Sequence, residues 1–175
     1  MQTIWITGGS SGIGYATAKE FLSNGWQVII SSSNKDKLEN AKNRLIDKKY
    51  TGSLHIVQCD ISNIKNVNKT IDYIETKLGK INIALLNASA YSPNKDQIFD
   101  INNYELLIDV NIKGTLYCIN KLKDYMSGRN NTIAIISSPL GYRGWPTAGA
   151  YGISKAAQLS LSESLYFDFK KIKIN

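Results

Sequence analysis

The sequence predicts an α/β protein: a doubly wound parallel sheet with helices on both faces. Three observations carry this. Short β-branched and apolar runs alternate with longer, charged segments from the first residues onward. Ile81–Leu86 and Thr132–Ser137 are nearly all apolar, as strands buried on both faces are. The longest irregular stretches, Ser89–Ile101 and Ser138–Ala150, each follow such a strand, where ligands bind in open α/β sheets.

Each element has its own reason. Thr3–Thr7 is β-branched and ends in glycines, which reads as a first strand. Ile13–Asn24 offers Ala16, Phe21 and Leu22 to one side and stops at Gly25, which reads as a helix. Gln27–Ser31, centred on Val28-Ile29-Ile30, is the second strand. Lys35–Lys48 is a charged helix whose inner stripe is Leu38, Ala41, Leu45 and Ile46. Leu54–Gln58 is a strand, Ile64–Leu78 a helix and Ile81–Leu86 the fourth strand. A long helical segment over Asn102–Met126 follows. Thr132–Ser137 is the fifth strand, and Tyr151–Phe169 is a helix packing through Ala156, Leu159 and Leu165. Ile172-Lys173-Ile174-Asn175 reads as the onset of a sixth strand. No linker, repeat or low-complexity tract interrupts the chain, so residues 1–175 read as one domain.

Composition narrows the class. An apolar fraction of 43% in 175 residues suits a globular protein with a real core. No apolar run is long enough to cross a bilayer, and Met1-Gln2-Thr3-Ile4-Trp5-Ile6 reads as a strand, not a secretory signal, so a cytoplasmic protein is expected. Cys59 and Cys118 form no CxxC pair, and His55 is the lone histidine; free thiols and no metal site are expected. The net charge of +7 falls largely on Asn34–Lys49 and Lys170–Lys173, which read as solvated helix faces. No aromatic–basic interleaving points to nucleic acid.

The first strand-to-helix turn reads Thr7-Gly8-Gly9-Ser10-Ser11-Gly12-Ile13-Gly14. Its glycines permit a sharp turn and a close backbone approach to a pyrophosphate, and the helix behind it supplies free N–H groups. A plain tight turn uses the same residues. The spacing T-G-x-x-x-G-x-G resembles the fingerprint of the short-chain dehydrogenase/reductase family. That resemblance implies a Rossmann-type fold and a nicotinamide cofactor held by Thr7, Gly8, Ser10, Ser11, Gly12, Ile13 and Gly14. It places Ser32 where NAD-preferring members carry Asp, and Ser33 where many NADP-preferring members carry Arg. With Lys35 nearby, small hydroxyls suit a 2′-phosphate better than a bare diol, so NADP is favoured; NAD, with the turn showing no preference, stays open. Asp60 and Ile61 match the adenine-contacting positions, and Asn87 and Ala88 the segment lying along the cofactor.

Tyr151-Gly152-Ile153-Ser154-Lys155 is a Y-x-x-x-K whose ends share a helix face. Alone it says little, because Tyr15, Tyr73, Tyr91, Tyr117 and Tyr166 also precede a lysine by four. Tyr151 alone follows a buried strand ending in serines and then a glycine-rich loop. Ser138 lies thirteen residues before it and Asn111 sits in Asp109-Val110-Asn111-Ile112-Lys113-Gly114, so an Asn-Ser-Tyr-Lys set stands in the family's order. The resemblance implies that Tyr151 is the general acid/base and that Lys155 supports it and binds the cofactor ribose. Ser138 would bond the substrate oxygen, and Asn111 would anchor a proton-relaying water. A phenol with a pKa near 10 needs help to ionise. An ammonium about 4 Å away contributes on the order of 4 kcal/mol at an effective dielectric near 20.

Departures temper the resemblance. Leu86 and Ser89 replace the first Asn and the Gly of the family's N-N-A-G, and Pro139-Leu140 replaces smaller residues after the serine. Tyr91, Tyr142, Arg143 and Trp145 either line a substrate pocket or only cover a loop. The family's Pro-Gly turn, mobile substrate loop and last strand have no counterpart before Asn175, so the fold is expected to be truncated after the fifth strand and following helix. The expected function is hydride transfer between NADP(H) and a small carbonyl or alcohol, in a homo-oligomer if full length. The alternative is a non-catalytic nucleotide-binding module or inactive fragment.

Overall fold

The computed structural model describes residues 1–46, 49–93, 99–127 and 130–169, and the backbone of 173–174. Strands β1 (Thr3–Thr7), β2 (Gln27–Ser32), β3 (Ser53–Gln58), β4 (Ile83–Leu86), β5 (Thr132–Ile135) and β6 (Lys173–Ile174) form one sheet. Its order is β3-β2-β1-β4-β5-β6, and each neighbouring pair runs parallel. The chain moves outward from β1 to β3 and then crosses back to β4 on the other side of β1. That reversal opens a crevice beyond the carboxyl ends of β1 and β4.

Helices α1 (Gly12–Ser23) and α2 (Lys35–Ile46) cover one face, burying Ala18, Leu22, Leu38, Ala41 and Leu45 against Ile4, Ile6, Val28 and Ile30. Helices α3 (Ile64–Tyr73), α5 (Gly114–Met126) and α6 (Gly149–Asp168) cover the other, where Ile71, Ile119 and Leu122 meet Trp5, Ile29, Ala84 and Ile133. The alternation of side chains along β1 explains the split: Ile4 and Ile6 point to the first core and Trp5 to the second. Trp5 is fully buried, and its indole N–H donates to Ser31 Oγ at 3.2 Å.

The predicted doubly wound sheet is the observed one, with β6 adding a short sixth strand beside Thr132 and Ile133. Several predicted ends move by a residue or two. The strand expected from Ile81 starts at Ile83, because Ile81 N–H donates to Glu75 Oε1 and Asn82 clasps Thr3 from outside the ladder. The last helix begins at Gly149, two residues before Tyr151. Asp47 and Lys48 of the predicted second helix, and Ile172 and Asn175 of the predicted sixth strand, lie outside the described residues.

The long helical segment holds a surprise. It runs as α4 (Ile101–Leu107), a wide turn of π type over Ile108–Lys113, and then α5. A second wide turn, Ile74–Leu78, ends α3. No described helix is long and apolar enough to cross a membrane. Because Trp5 fills the centre of the second core, Trp5→Ala is expected to lower the unfolding free energy by about 3–5 kcal/mol. Urea denaturation followed by far-UV circular dichroism measures it.

Candidate active site

The carboxyl ends of β1 and β4 are laced together. Thr7 Oγ1 accepts from the N–H groups of Asn87 and Ala88, each at 3.0 Å, and Asn87 Nδ2 donates to the carbonyls of Thr7 (3.0 Å) and Gly8 (3.2 Å). This lacing brings the glycine turn so near the β4 loop that a side chain at Gly8 would meet Ala88 Cα at 2.8 Å; its φ of +65° is left-handed besides. A Cβ on Gly14 would lie 2.6 Å from Gly8 O. The turn is therefore open to solvent on its outer side and backbone-tight on its inner side.

A cleft of about 560 Å³ starts on that turn and ends at α6. Gly8, Ser10, Ser11, Gly12 and Ile13 form its floor. Ser32 and Ser33 stand at one wall, with Asp60 and Ile61 beside them and Asn87 and Ala88 at the centre; Tyr151 and Lys155 close the far end. One stretch of surface thus gathers most of the residues that the sequence singled out. Asp60 is fixed by Ser62, whose N–H and hydroxyl donate to Oδ1 at 3.0 and 2.7 Å.

Four singled-out residues do not line the cleft, and of these only Ser138 is half-buried and not fully buried. Thr7 is buried in the lacing, and Gly14 supports the turn from within. Ser138 caps the short 3₁₀ turn Pro139–Gly141, its Oγ accepting from Leu140 N–H at 3.3 Å. Asn111 is fully buried in the wide turn. Its side-chain oxygen accepts from Ala90 N–H at 2.7 Å, and its Nδ2 donates to Ala90 O (3.0 Å) and Ser154 Oγ (2.9 Å). Ser154 Oγ in turn donates to Tyr151 O at 2.8 Å. Asn111 thereby ties the loop after β4 to the first turn of α6.

The main chain of Asn111 is engaged as well. The main-chain carbonyl of Asn111 accepts from Thr115 Oγ1 at 2.7 Å and from Gln158 Nε2 at 2.8 Å. Two donors match the two lone pairs of such an oxygen.

Lys155 is 2% exposed. Its amine donates to Ile136 O at 2.7 Å and to Gln158 Oε1 at 2.9 Å, and lies 5.4 Å from the centre of the Tyr151 ring. Burial pushes the amine down from the usual lysine range to about 8. Tyr91 meets the Tyr151 ring edge-on with centroids 4.9 Å apart, so of the four pocket candidates it is the one on the cleft; Tyr142 and Trp145 are exposed.

Sequence reasoning missed Lys37 and Gln158. Lys35 is the expected cation by the serines, but Lys37 lines the cleft, its backbone N–H donating to Asn34 Oδ1 at 2.8 Å at the start of α2. The four-residue step from Ser33 to Lys37 was the available signal. For Gln158, the step of three from Lys155 was present but unremarkable in a helix. Cys59 and Cys118 are free and buried, and burial pushes both thiols up, away from reactivity. Among the described residues no three His, Cys, Asp or Glu side chains cluster to hold a metal.

Strand order and cleft position define a Rossmann-type α/β protein. Residues 2–175 match the family model for short chain dehydrogenase, and the chain belongs to that family. It is 29% identical over 170 residues to an uncharacterized oxidoreductase of Staphylococcus aureus strain N315, spanning 95% of this chain and 71% of that one. It superposes with a TM-score of 0.91 on an alcohol dehydrogenase from the archaeon Thermococcus sibiricus complexed with 5-hydroxy-NADP, at 20% identity over 99% of this chain and 74% of that one. A short chain dehydrogenase/reductase from Burkholderia phymatum in complex with NAD gives 0.91 at 24% identity, covering 99% of this chain but only 63% of its own. At these identities the two structures speak to the fold.

The buried amine makes stability depend on pH. Folded, Lys155 releases its proton near 8; unfolded, it holds it to about 10.5. Between those values the unfolded chain binds more protons, so this site adds stability as pH rises, and below pH 8 the buried charge is a constant cost. The unfolding free energy of the wild type relative to Lys155→Met is expected to be flat below pH 7 and to climb from pH 8 to pH 10. Urea midpoints across that range check it; a flat difference throughout would mean the amine titrates as in water.

Proposed function

We propose that this chain is the cofactor-binding and catalytic portion of an NADP-preferring oxidoreductase that interconverts a carbonyl and an alcohol. The observation that carries this reading is the single cleft running from the glycine turn to Tyr151 and Lys155. Its volume lies within the range of small-molecule sites. The turn fits a dinucleotide pyrophosphate: side chains are excluded at Gly8 and Gly14, Ser10 and Ser11 face the cleft, and α1 points its N-terminus there.

When bound, a nicotinamide dinucleotide supplies the hydride that a carbonyl carbon accepts in reduction, or takes up the one an alcohol carbon releases in oxidation. The chain handles the proton. In reduction the Tyr151 hydroxyl gives its proton to the substrate oxygen; in oxidation the Tyr151 phenolate removes the proton of the alcohol. The Lys155 amine is held 5.4 Å from the centre of the Tyr151 ring. Ser138 stands off the cleft lining with its Oγ accepting from Leu140 N–H, which leaves the hydroxyl proton for a substrate oxygen that reaches that turn. Asn111 fixes the first turn of α6, and with it the height of Tyr151 above the cleft floor. Tyr91 walls the substrate side.

The preference for NADP rests on the wall by Ser32 and Ser33. The end of β2 carries hydroxyls where an acid would bond a ribose diol or repel a phosphate, the neighbouring Asp60 is engaged by Ser62, and Lys37 faces the same space. The two dinucleotides bound by the structural neighbours, 5-hydroxy-NADP and NAD, bracket the choice.

Two variants test the reading. Tyr151→Phe is expected to lower turnover of a responsive carbonyl by at least about 10²-fold while leaving NADPH affinity, read by fluorescence titration, within a factor of about two. Unchanged turnover would remove Tyr151 from the chemistry. Lys37→Ala is expected to weaken NADPH binding about tenfold, the worth of one charge-assisted bond, and to leave NADH binding unaltered. Equal losses for both cofactors would refute the phosphate assignment.

A further inference from the structure

We propose that Gln158 is a positioning residue for the Lys155 amine, clamping it between the end of β5 and the main-chain carbonyl of Asn111. The proposal rests on the reading of Lys155 as part of the site. Gln158 is 2% exposed, and both ends of its amide are engaged. Oε1 accepts from Lys155 Nζ at 2.9 Å, while Nε2 donates to Asn111 O at 2.8 Å and to Thr115 Oγ1 at 2.9 Å. The chemistry of the neighbours fixes the amide's orientation. A lysine amine in its charged form only donates, and a backbone carbonyl only accepts, so the reversed amide would set donor against donor and acceptor against acceptor. Thr115 agrees, since its own proton goes to Asn111 O at 2.7 Å and leaves Oγ1 to accept.

The clamp has two consequences. Lys155 is held by two neutral oxygens, Gln158 Oε1 and Ile136 O, and among the described residues no carboxylate lies on it. Its charge is stabilised by dipoles alone, so loss of one dipole is felt directly as a change in the pH at which the amine ionises. The amide also stands between the amine and the Asn111 carbonyl, and an amide holds its protons where a water would pass them on. Proton exchange with Tyr151 is then left to the open side of the cleft.

The titratable groups around the amine come from every element packed on α6. Tyr151 on α6 itself lies beside the amine, Tyr91 from the loop after β4 meets that ring, and the elements packed on α6 further carry Tyr104 and Glu105 on α4, Tyr142 after the 3₁₀ turn and Lys173 in β6. Asp60 lines the cleft's opposite wall, and Asp109 of the wide turn is committed to Lys113 at 2.7 Å. Among the described residues burial is the one cause that shifts Lys155.

The test is the titration of Lys155 itself, followed by NMR of ¹³Cε-labelled lysine in the whole chain, with Lys155→Met to assign the signal. Gln158→Leu removes the acceptor and is expected to move the midpoint down. Gln158→Glu sets a carboxylate on the amine and is expected to move it up by roughly 1–3 pH units. Opposite shifts establish the clamp, because a side chain that merely fills space would not change sign with its charge. Midpoints unmoved in both, or moved the same way, overturn it. Gln158→Met, close in volume, repeats the downward arm if the leucine variant folds poorly. The readout needs no turnover, so failure of the Tyr151 assignment and failure of the clamp are told apart.

Discussion

An amine withdrawn from water must find its hydrogen bonds inside the protein, and that demand organises the end of this sheet where the cleft lies. Lys155 meets it with Ile136 O from the end of β5 and Gln158 Oε1 from its own helix. Each of those partners is fixed in turn. Gln158 is anchored on the Asn111 carbonyl in the wide turn at Ile108–Lys113, and the Asn111 side chain grips both Ala90 and Ser154. Helix α6, the wide turn and the loop after β4 form one polar body under the far end of the cleft. Buried polar networks of this kind are costly when incomplete and rigid when complete.

The near end of the cleft works by the opposite means. No buried charge is involved there; close backbone contact replaces it. Thr7 and Asn87 draw β1 and β4 together beyond the last ladder bonds, and glycines keep the contact surface bare. The two ends are joined through β4, whose Leu86 leads directly into Asn87 and Ala88. Sheet, turn and helix start are therefore set by backbone geometry at one end and by side-chain hydrogen bonds at the other.

This division explains what could be read from the sequence. The strand–helix alternation, the glycine turn and the Tyr151–Lys155 pair are local patterns, and local spacing fixes them. Ser32, Ser33, Asp60 and Asn87 follow because parallel strands deliver their ends to one edge of the sheet. The wide turn was illegible, since Asn111 and its neighbours have ordinary helical composition and only tertiary contacts with Ala90 and Ser154 pull the backbone off the regular path. Gln158 was illegible for a similar reason: a glutamine in a helix is usually solvated, and its partners lie 47 and 43 residues away in sequence. Lys37 in place of Lys35 turned on which side chain of the first turn of α2 faces the cleft, since the helix starts at Lys35 as predicted.

The wide turn also sets a phase. Successive residues of an α-helix are about 100° apart around its axis, and the turn inserts an extra residue between α4 and α5. Helix α5 presents Cys118, Ile119, Leu122 and Met126 to the core, while Tyr104 on α4 reaches the start of α6 so closely that a Cβ on Gly149 would come within 2.5 Å of its hydroxyl. Both faces are correct only with that residue present. Single-residue deletions between 108 and 113 would rotate one helix against the other by about a quarter of a turn, so the chain's length there is as constrained as any side chain in the cleft.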